Sequence, residues 1–169
     1  MMRLMRCLTL AALVGLAVMA LFAPGAAADA PVKSEFTFSD TGVLTDTCAF
    51  PVTIAATGSA TEIDFFDASG TLTRFQIHVS EEATFSANGH SLTSIPFAYN
   101  FTGRFDSSGN FTDALLNGVF VKVPLPDGGL FISTGRVDLL ARGLPQFIDF
   151  PTDVGASVNL DRFCAALAP

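Results

Sequence analysis

The chain has 169 residues, with 16 acidic against nine basic, and a formal net charge of −7; half of its residues are hydrophobic. Seventeen phenylalanines, one tyrosine and no tryptophan make up its aromatic content. An acidic surface repels nucleic acid and anionic headgroups, so the composition predicts no nucleic-acid partner.

Met1 to Arg6 carry two basic residues and no acid, Cys7 to Ala23 is apolar, and Pro24, Gly25 and Ala26-Ala27-Ala28 follow. This is the pattern of a secretory signal with an Ala-x-Ala site, which predicts cleavage after Ala28: residues 1–28 form the leader and 29–169 a single β domain. An uncleaved anchor is the alternative, but the apolar run is short for a spanning helix, and no membrane span is expected in the mature protein. Cys7 precedes the apolar core, so it cannot become the lipidated first residue of a lipoprotein. Loss of Arg3 and Arg6 leaves seven basic residues against all 16 acidic ones, a formal charge of −9. The 141 residues left of 169 suit one secreted domain with a sizeable core.

Without Cys7, only Cys48 and Cys164 remain, and an oxidising compartment permits one intramolecular pairing. The loop it closes is long, worth about 5 kcal/mol as an upper figure on chain entropy. Two buried free thiols are the alternative. A catalytic cysteine is disfavoured, because neither has a histidine near it in sequence.

Between Ser34 and Leu140 almost every segment is rich in Val, Ile, Phe and Thr and is punctuated by Gly, Asn and Asp, the composition of strands joined by tight turns. Strands are expected over Ser34 to Ser39 and over Phe50 to Ala56, the latter continuing through Gly58 into Thr61. Four turn signals then divide a meander: Asp67-Ala68-Ser69-Gly70, Asn88-Gly89, Asp106-Ser107-Ser108-Gly109 and Asp127-Gly128-Gly129. A three-residue loop at 68–70, with Gly70 in the left-handed region, sets Asp64 opposite Arg74 and Glu62 opposite Gln76 on one face. The same rule at 107–109 places Phe105 opposite Phe111, Phe101 opposite Leu115 and Phe97 opposite Val119. A loop at 127–129 sets Val119 against Val137 and Val121 against Gly135. The Asn88-Gly89 turn sets Phe85 against Leu92, but that register then mixes faces. The mismatch predicts a bulge near Ser80-Glu81-Glu82, across from Pro96, which cannot donate to the ladder.

A further strand is expected within Gly155 to Asn159, and a short helix over Leu160 to Leu167, with Asn159 as its cap and Asp161 in its first turn. The fold class is therefore all-β: an antiparallel up-and-down meander closing into a barrel of about seven or eight strands, with a short C-terminal helix. A two-sheet sandwich is the runner-up.

The stretch Cys48-Ala49-Phe50-Pro51-Val52, the meander with D-x-S-G and D-G turns, and the ending Asp161-Arg162-Phe163-Cys164-Ala165-Ala166-Leu167 resemble a group of exported actinobacterial proteins in which a C-x-F-P-V start and a D-x-C-x-x-L end recur. Ala49 stands where that group usually has glycine. The resemblance implies export, an all-β fold and a Cys48 to Cys164 bridge, and it carries no catalytic residue, because the group has no assigned activity.

The most site-like cluster is the expected polar face of the first hairpin, Glu62, Asp64, Arg74, Gln76 and His78, with Asn100 and Thr102 beside them. Asp64, Arg74 and His78 are its candidate catalytic groups. A solvated sheet face with cross-strand ion pairs is the plainer reading of the same residues. His90 reads as a turn residue, no zinc, EF-hand or phosphate-loop spacing occurs, and no metal or cofactor is expected. Asn100-Phe101-Thr102 and Asn110-Phe111-Thr112 fit the glycosylation pattern, which in a bacterial exported chain is usually chance. The phenylalanine-rich interior and the missing catalytic constellation predict a non-enzymatic secreted module that binds a small apolar ligand or a surface partner, with Phe65, Phe75, Phe97, Tyr99 and Phe101 as candidate ligand contacts. A barrel enzyme of the isomerase or cyclase type and a structural envelope component are the alternatives.

Overall fold

In the computed structural model, which describes residues 30–141, 143 and 158–169, seven antiparallel strands form one sheet. They are β1 (Val32–Leu44), β2 (Val52–Phe66), β3 (Leu72–Ala87), β4 (His90–Thr93), β5 (Phe97–Phe105), β6 (Phe111–Pro124) and β7 (Leu130–Asp138), followed by helix α1 (Leu160–Leu167). The expected signal segment and cleavage site lie outside the described residues, as does most of the strand expected over Gly155 to Asn159. Of its described residues, Val158 makes a bridge, to Ile132.

The strands are neighbours in the order β1-β2-β3-β5-β6-β7, with β4 also on β3. This is the expected meander, but β1 and β7 stay on opposite edges and the sheet does not close into a barrel. Two features oppose closure. The edge of β7 is occupied at Ile132, which exchanges both backbone hydrogen bonds with Val158 (3.1 and 3.4 Å). β1, for its part, mixes Ser34, Asp40 and Gly42 into its core-side row and is exposed over most of its length, so its burial against β7 has little apolar area to gain.

Three turns share one geometry. Backbone pairs close Asp67–Thr71 (2.9 Å), Asp106–Asn110 (2.9 Å) and Leu125–Gly129 (2.8 Å), and the third loop residue is a glycine at positive φ: Gly70 (81°), Gly109 (81°) and Gly128 (83°). Asp67 Oδ1 accepts from the N–H groups of Ser69 and Thr71, and Asp106 Oδ1 accepts from those of Ser108 and Asn110, which fixes the chain reversal locally. The last loop therefore spans 126–128 rather than 127–129, with Pro126 at the position its fixed φ suits. Val121 consequently faces Ser133, and Val119 faces Thr134 across a bulge that takes up Phe120. At Asn88-Gly89 both residues have positive φ, and Phe85 faces Leu92 as expected.

The two D-x-S-G hairpins are alike beyond their turns. In each, one extra residue enters the returning strand just after the turn, Thr73 in β3 and Thr112 in β6. Thr73 uses its hydroxyl to bond Phe65 O at 3.0 Å. The insertion shifts the register by one: Asp64 faces Phe75 rather than Arg74, Glu62 faces Ile77 rather than Gln76, Phe101 faces Leu116 rather than Leu115, and Tyr99 faces Gly118. A second correction concerns the bulge expected near Ser80-Glu81-Glu82. β3 runs through those residues unbroken, and the extra residue lies on the partner strand, between β4 and β5. There Ser94 still bonds Ala83, but Ile95 N turns to Lys122 O (2.9 Å) and Pro96 has no N–H to offer, so the partner strand breaks instead.

One face of the sheet carries the core, in two clusters. At one end Leu44, Val52, Phe85, Leu92, Phe97, Val121, Val123 and Phe131 pack under α1, which inserts fully buried Phe163 and Leu167. The Phe163 ring lies 4.5 Å from that of Phe131 and 5.3 Å from that of Phe85. Asn159 does not cap α1 with its side chain; it takes a left-handed conformation and its amide donates to Leu130 O (2.8 Å), tying the helix to β7. Cys164 on α1 is bonded to Cys48 in the β1–β2 connection, Cα to Cα 5.6 Å. At the other end Phe75, Phe101, Ala114, Phe120, Val137 and Leu139 form the second cluster.

Thiol alkylation of the native chain is expected to label neither Cys48 nor Cys164 until reduction, and reduction is expected to lower unfolding stability by about 2–5 kcal/mol; labelling of both before reduction would refute the bridge. Phe163→Ala and Phe97→Ala should each cost about 3–5 kcal/mol in chemical denaturation.

Candidate functional site

The register decides which polar groups meet. On the face opposite the core, partner residues line up across six strands as Glu35, Thr61, His78, Asn100, Asn117 and Arg136. His78 Nδ1 donates to Asn100 Oδ1 at 3.0 Å, which leaves Nε2 directed elsewhere. Next to the ladder a shallow hollow is lined by Glu35, Phe36, Thr37, Ser59, Thr61, His78 and Ser80. The same face carries Thr84 beside Thr93 and Ser86 beside Ser91, hydroxyl to hydroxyl at 3.2 Å. Its chemistry joins hydroxyl, amide and imidazole groups in the middle of the ladder to charged Glu35 and Arg136 at its ends.

Of the three catalytic candidates, His78 and Arg74 lie on this outer face and Asp64 on the core face. Asp64 cannot reach His78 through the sheet, so the constellation expected from sequence is not assembled. The cause is Thr73, the inserted residue that moved Arg74 from opposite Asp64 to opposite Phe65. The Arg74 guanidinium instead stacks 3.8 Å above the centre of the Phe65 ring. The expected neighbours of His78 and Gln76 are present: Asn100 and Thr102 face them.

Phe75, Phe97, Tyr99 and Phe101 share the core face, whereas Phe65 is on the other. They divide between the two core clusters: Phe97 belongs to the one under α1, Phe75 and Phe101 to the other, and Tyr99 packs against both. Phe75 meets Phe101 at 4.8 Å between ring centres, Phe105 at 5.8 Å and Phe111 at 6.2 Å, and a methyl group on Gly103 would run into the Phe75 and Phe111 rings.

Sequence reasoning missed Glu81. It sits on the core face between the two clusters, half-buried, and accepts a hydrogen bond from Tyr99 Oη at 3.0 Å. Burial pushes its carboxyl above the ordinary range; the Tyr99 hydrogen bond pulls the other way and the charge of Asp40 adds to the rise. Burial, together with the negative charge of Glu81, likewise raises the Tyr99 hydroxyl, which stays protonated. Glu62 on the same face is raised by burial and by neighbouring Asp64. A sequence signal existed, since Glu81 falls in the alternation that places Phe75, Ile77, Val79 and Ala83 inward, but the acidic pair Glu81-Glu82 reads more naturally as an interruption.

Among the described residues no group of three or more His, Cys, Asp or Glu side chains is placed to hold a metal, and no helix is long and apolar enough to cross a membrane. No protein family, no curated protein and no solved structure matches the chain.

The raised Glu81 carboxyl gives a pH prediction. The folded chain holds this proton more tightly than the unfolded chain, so the contribution of Glu81 to stability is greatest below the ordinary glutamate range and declines as pH rises through the raised value. Glu81→Gln should therefore melt above the wild type at neutral pH, with the difference vanishing below about pH 4. A variant less stable than wild type at pH 7 and equal to it in acid would reverse the assignment.

Proposed function

We propose that the chain is an exported, non-enzymatic β-sheet module that acts by docking onto a neutral, polyhydroxylated surface polymer through the outer face of β1–β3. The observation that carries this reading is the division of the sheet: its aromatic clusters lie on one face, and on the other the Thr61–His78–Asn100 ladder, flanked by the ion-paired carboxylate of Glu35, offers hydroxyl, imidazole and amide groups to solvent. Hydrogen-bonding groups of this kind suit the hydroxyl-rich edges of a sugar. The acidic net charge disfavours anionic polymers. Export rests on the leader pattern and agrees with the Cys48–Cys164 bridge, and the likeness to exported actinobacterial proteins points the same way. The small apolar ligand reading would need its aromatic candidates in one place, whereas they divide between two packed clusters and, for Phe65, the outer face. An enzyme of the isomerase or cyclase type keeps one supporting observation, the half-buried Glu81–Tyr99 pair, in a sheet that is not closed around it.

Co-sedimentation of the purified protein with insoluble neutral polysaccharides tests the proposal. Binding should persist at about 1 M salt, where exposed charge pairs are screened. Thr61→Arg and His78→Ala should lower it about tenfold with melting temperature unchanged. Equal binding by the variants, or retention only on charged polymers, would overturn it.

A further inference from the structure

The free edge of β1 carries a self-complementary code. β1 pairs with β2 from Val32 to Leu44 without a register shift, and among the described residues no strand occupies its other side. Exposed strand edges are normally protected by proline, bulges or charged side chains, inward-pointing ones included; in β1 the inward charge is Asp40, beyond the segment Val32 to Phe36. Within β1 there is no proline and no bulge, and the one lysine, Lys33, is engaged by Glu35 at 2.6 Å. Two apolar residues of its core-side row are left exposed, Val32 at 53% and Phe36 at 44%.

We infer that β1 pairs antiparallel with β1 of a second copy of this chain about a two-fold axis at Ser34. Read in opposite directions, Val32-Lys33-Ser34-Glu35-Phe36 matches itself: Val32 faces the second copy's Phe36, Lys33 faces its Glu35, and Ser34 faces Ser34. A two-fold perpendicular to the sheet keeps each face on its own side, so only registers centred on a residue qualify. Centring on Lys33 or on Glu35 sets like charges directly opposite, and centring on Phe36, Thr37 or Phe38 opposes no unlike pair. Centring on Ser34 alone gives two reciprocal ion pairs, and it covers Val32 and Phe36 together. Each Lys33–Glu35 pair then joins its counterpart in a four-charge square of alternating sign, while the backbone groups of the edge gain ladder partners. The outer face of β1–β3 stays open, so two such faces lie side by side in the pair.

Sedimentation equilibrium of the disulfide-intact protein should show a reversible dimer. Lys33→Glu and Glu35→Lys each convert both ion pairs to like-charge contacts and should weaken dimerisation about tenfold or more. Mixing the two variants should restore it as a heterodimer, because each then presents the opposite charges to the other although its own residues 33 and 35 remain alike in sign. That restoration separates pairing between copies from the contact within one chain. Both positions are exposed, so unchanged melting serves as the folding control. A wild type that stays monomeric up to about 1 mM, a Lys33→Glu variant that dimerises like wild type, or a mixture that stays monomeric would each overturn the inference.

Discussion

A strand has two faces, and the count of residues between a turn and any later position decides which face that residue occupies. This parity governs everything else in the molecule. Thr73 and Thr112 each add one residue after a tight turn, and with that single insertion Asp64 and Glu62 join the phenylalanines while Arg74, Gln76 and His78 turn to the opposite side. Had β3 continued without Thr73 as an extra residue, a carboxylate, a guanidinium and an imidazole would share one surface. The Arg74–Phe65 stack and the Thr73 hydroxyl bond to Phe65 O are the local interactions that favour the arrangement observed.

Much of the fold was legible because it is local. Turn chemistry located three of the four reversals and the positive φ of Gly70 and Gly109, and cysteine counting found the Cys48–Cys164 bridge. The third D-G loop was misplaced by one residue because Asp127-Gly128-Gly129 offers two glycines, and the preference of Pro126 for the first loop position decides between them. The bulges were not legible, since a threonine in a strand carries no mark of being unpaired. Their signal lay in the likeness of the segments around Asp67 and Asp106, which reflects a repeated turn-plus-bulge unit. Barrel closure was illegible for a different reason: it depends on whether two distant edges meet, and pairing rules along the chain say nothing of that. The candidate site fared accordingly. His78 with Asn100 survived because an insertion on either strand gives the same parity, while Asp64 was lost with one residue's shift.

The core face combines tight aromatic packing with acids that lie at or beside it: Asp40, Glu62, Asp64 and Glu81. Glu81 is the most enclosed of those with a raised carboxyl, and its tolerance rests on the Tyr99 hydroxyl. A carboxylate held in this way gains one good hydrogen bond and loses hydration at several lone pairs, so it is a weak point in the packing rather than a strut.

The seating of α1 sets an order of events. The hairpins of the sheet join segments that are close in the chain, but the apolar end formed by Phe85, Phe131 and Val123 is completed by Phe163 and Leu167 from α1, which follows every strand in the chain. Cys164 then meets Cys48 across 116 positions. Long-range closure of this kind is slow relative to hairpin formation. Without α1 in place that end of the sheet would present bare apolar surface, and the Cys48–Cys164 bond latches the helix that covers it.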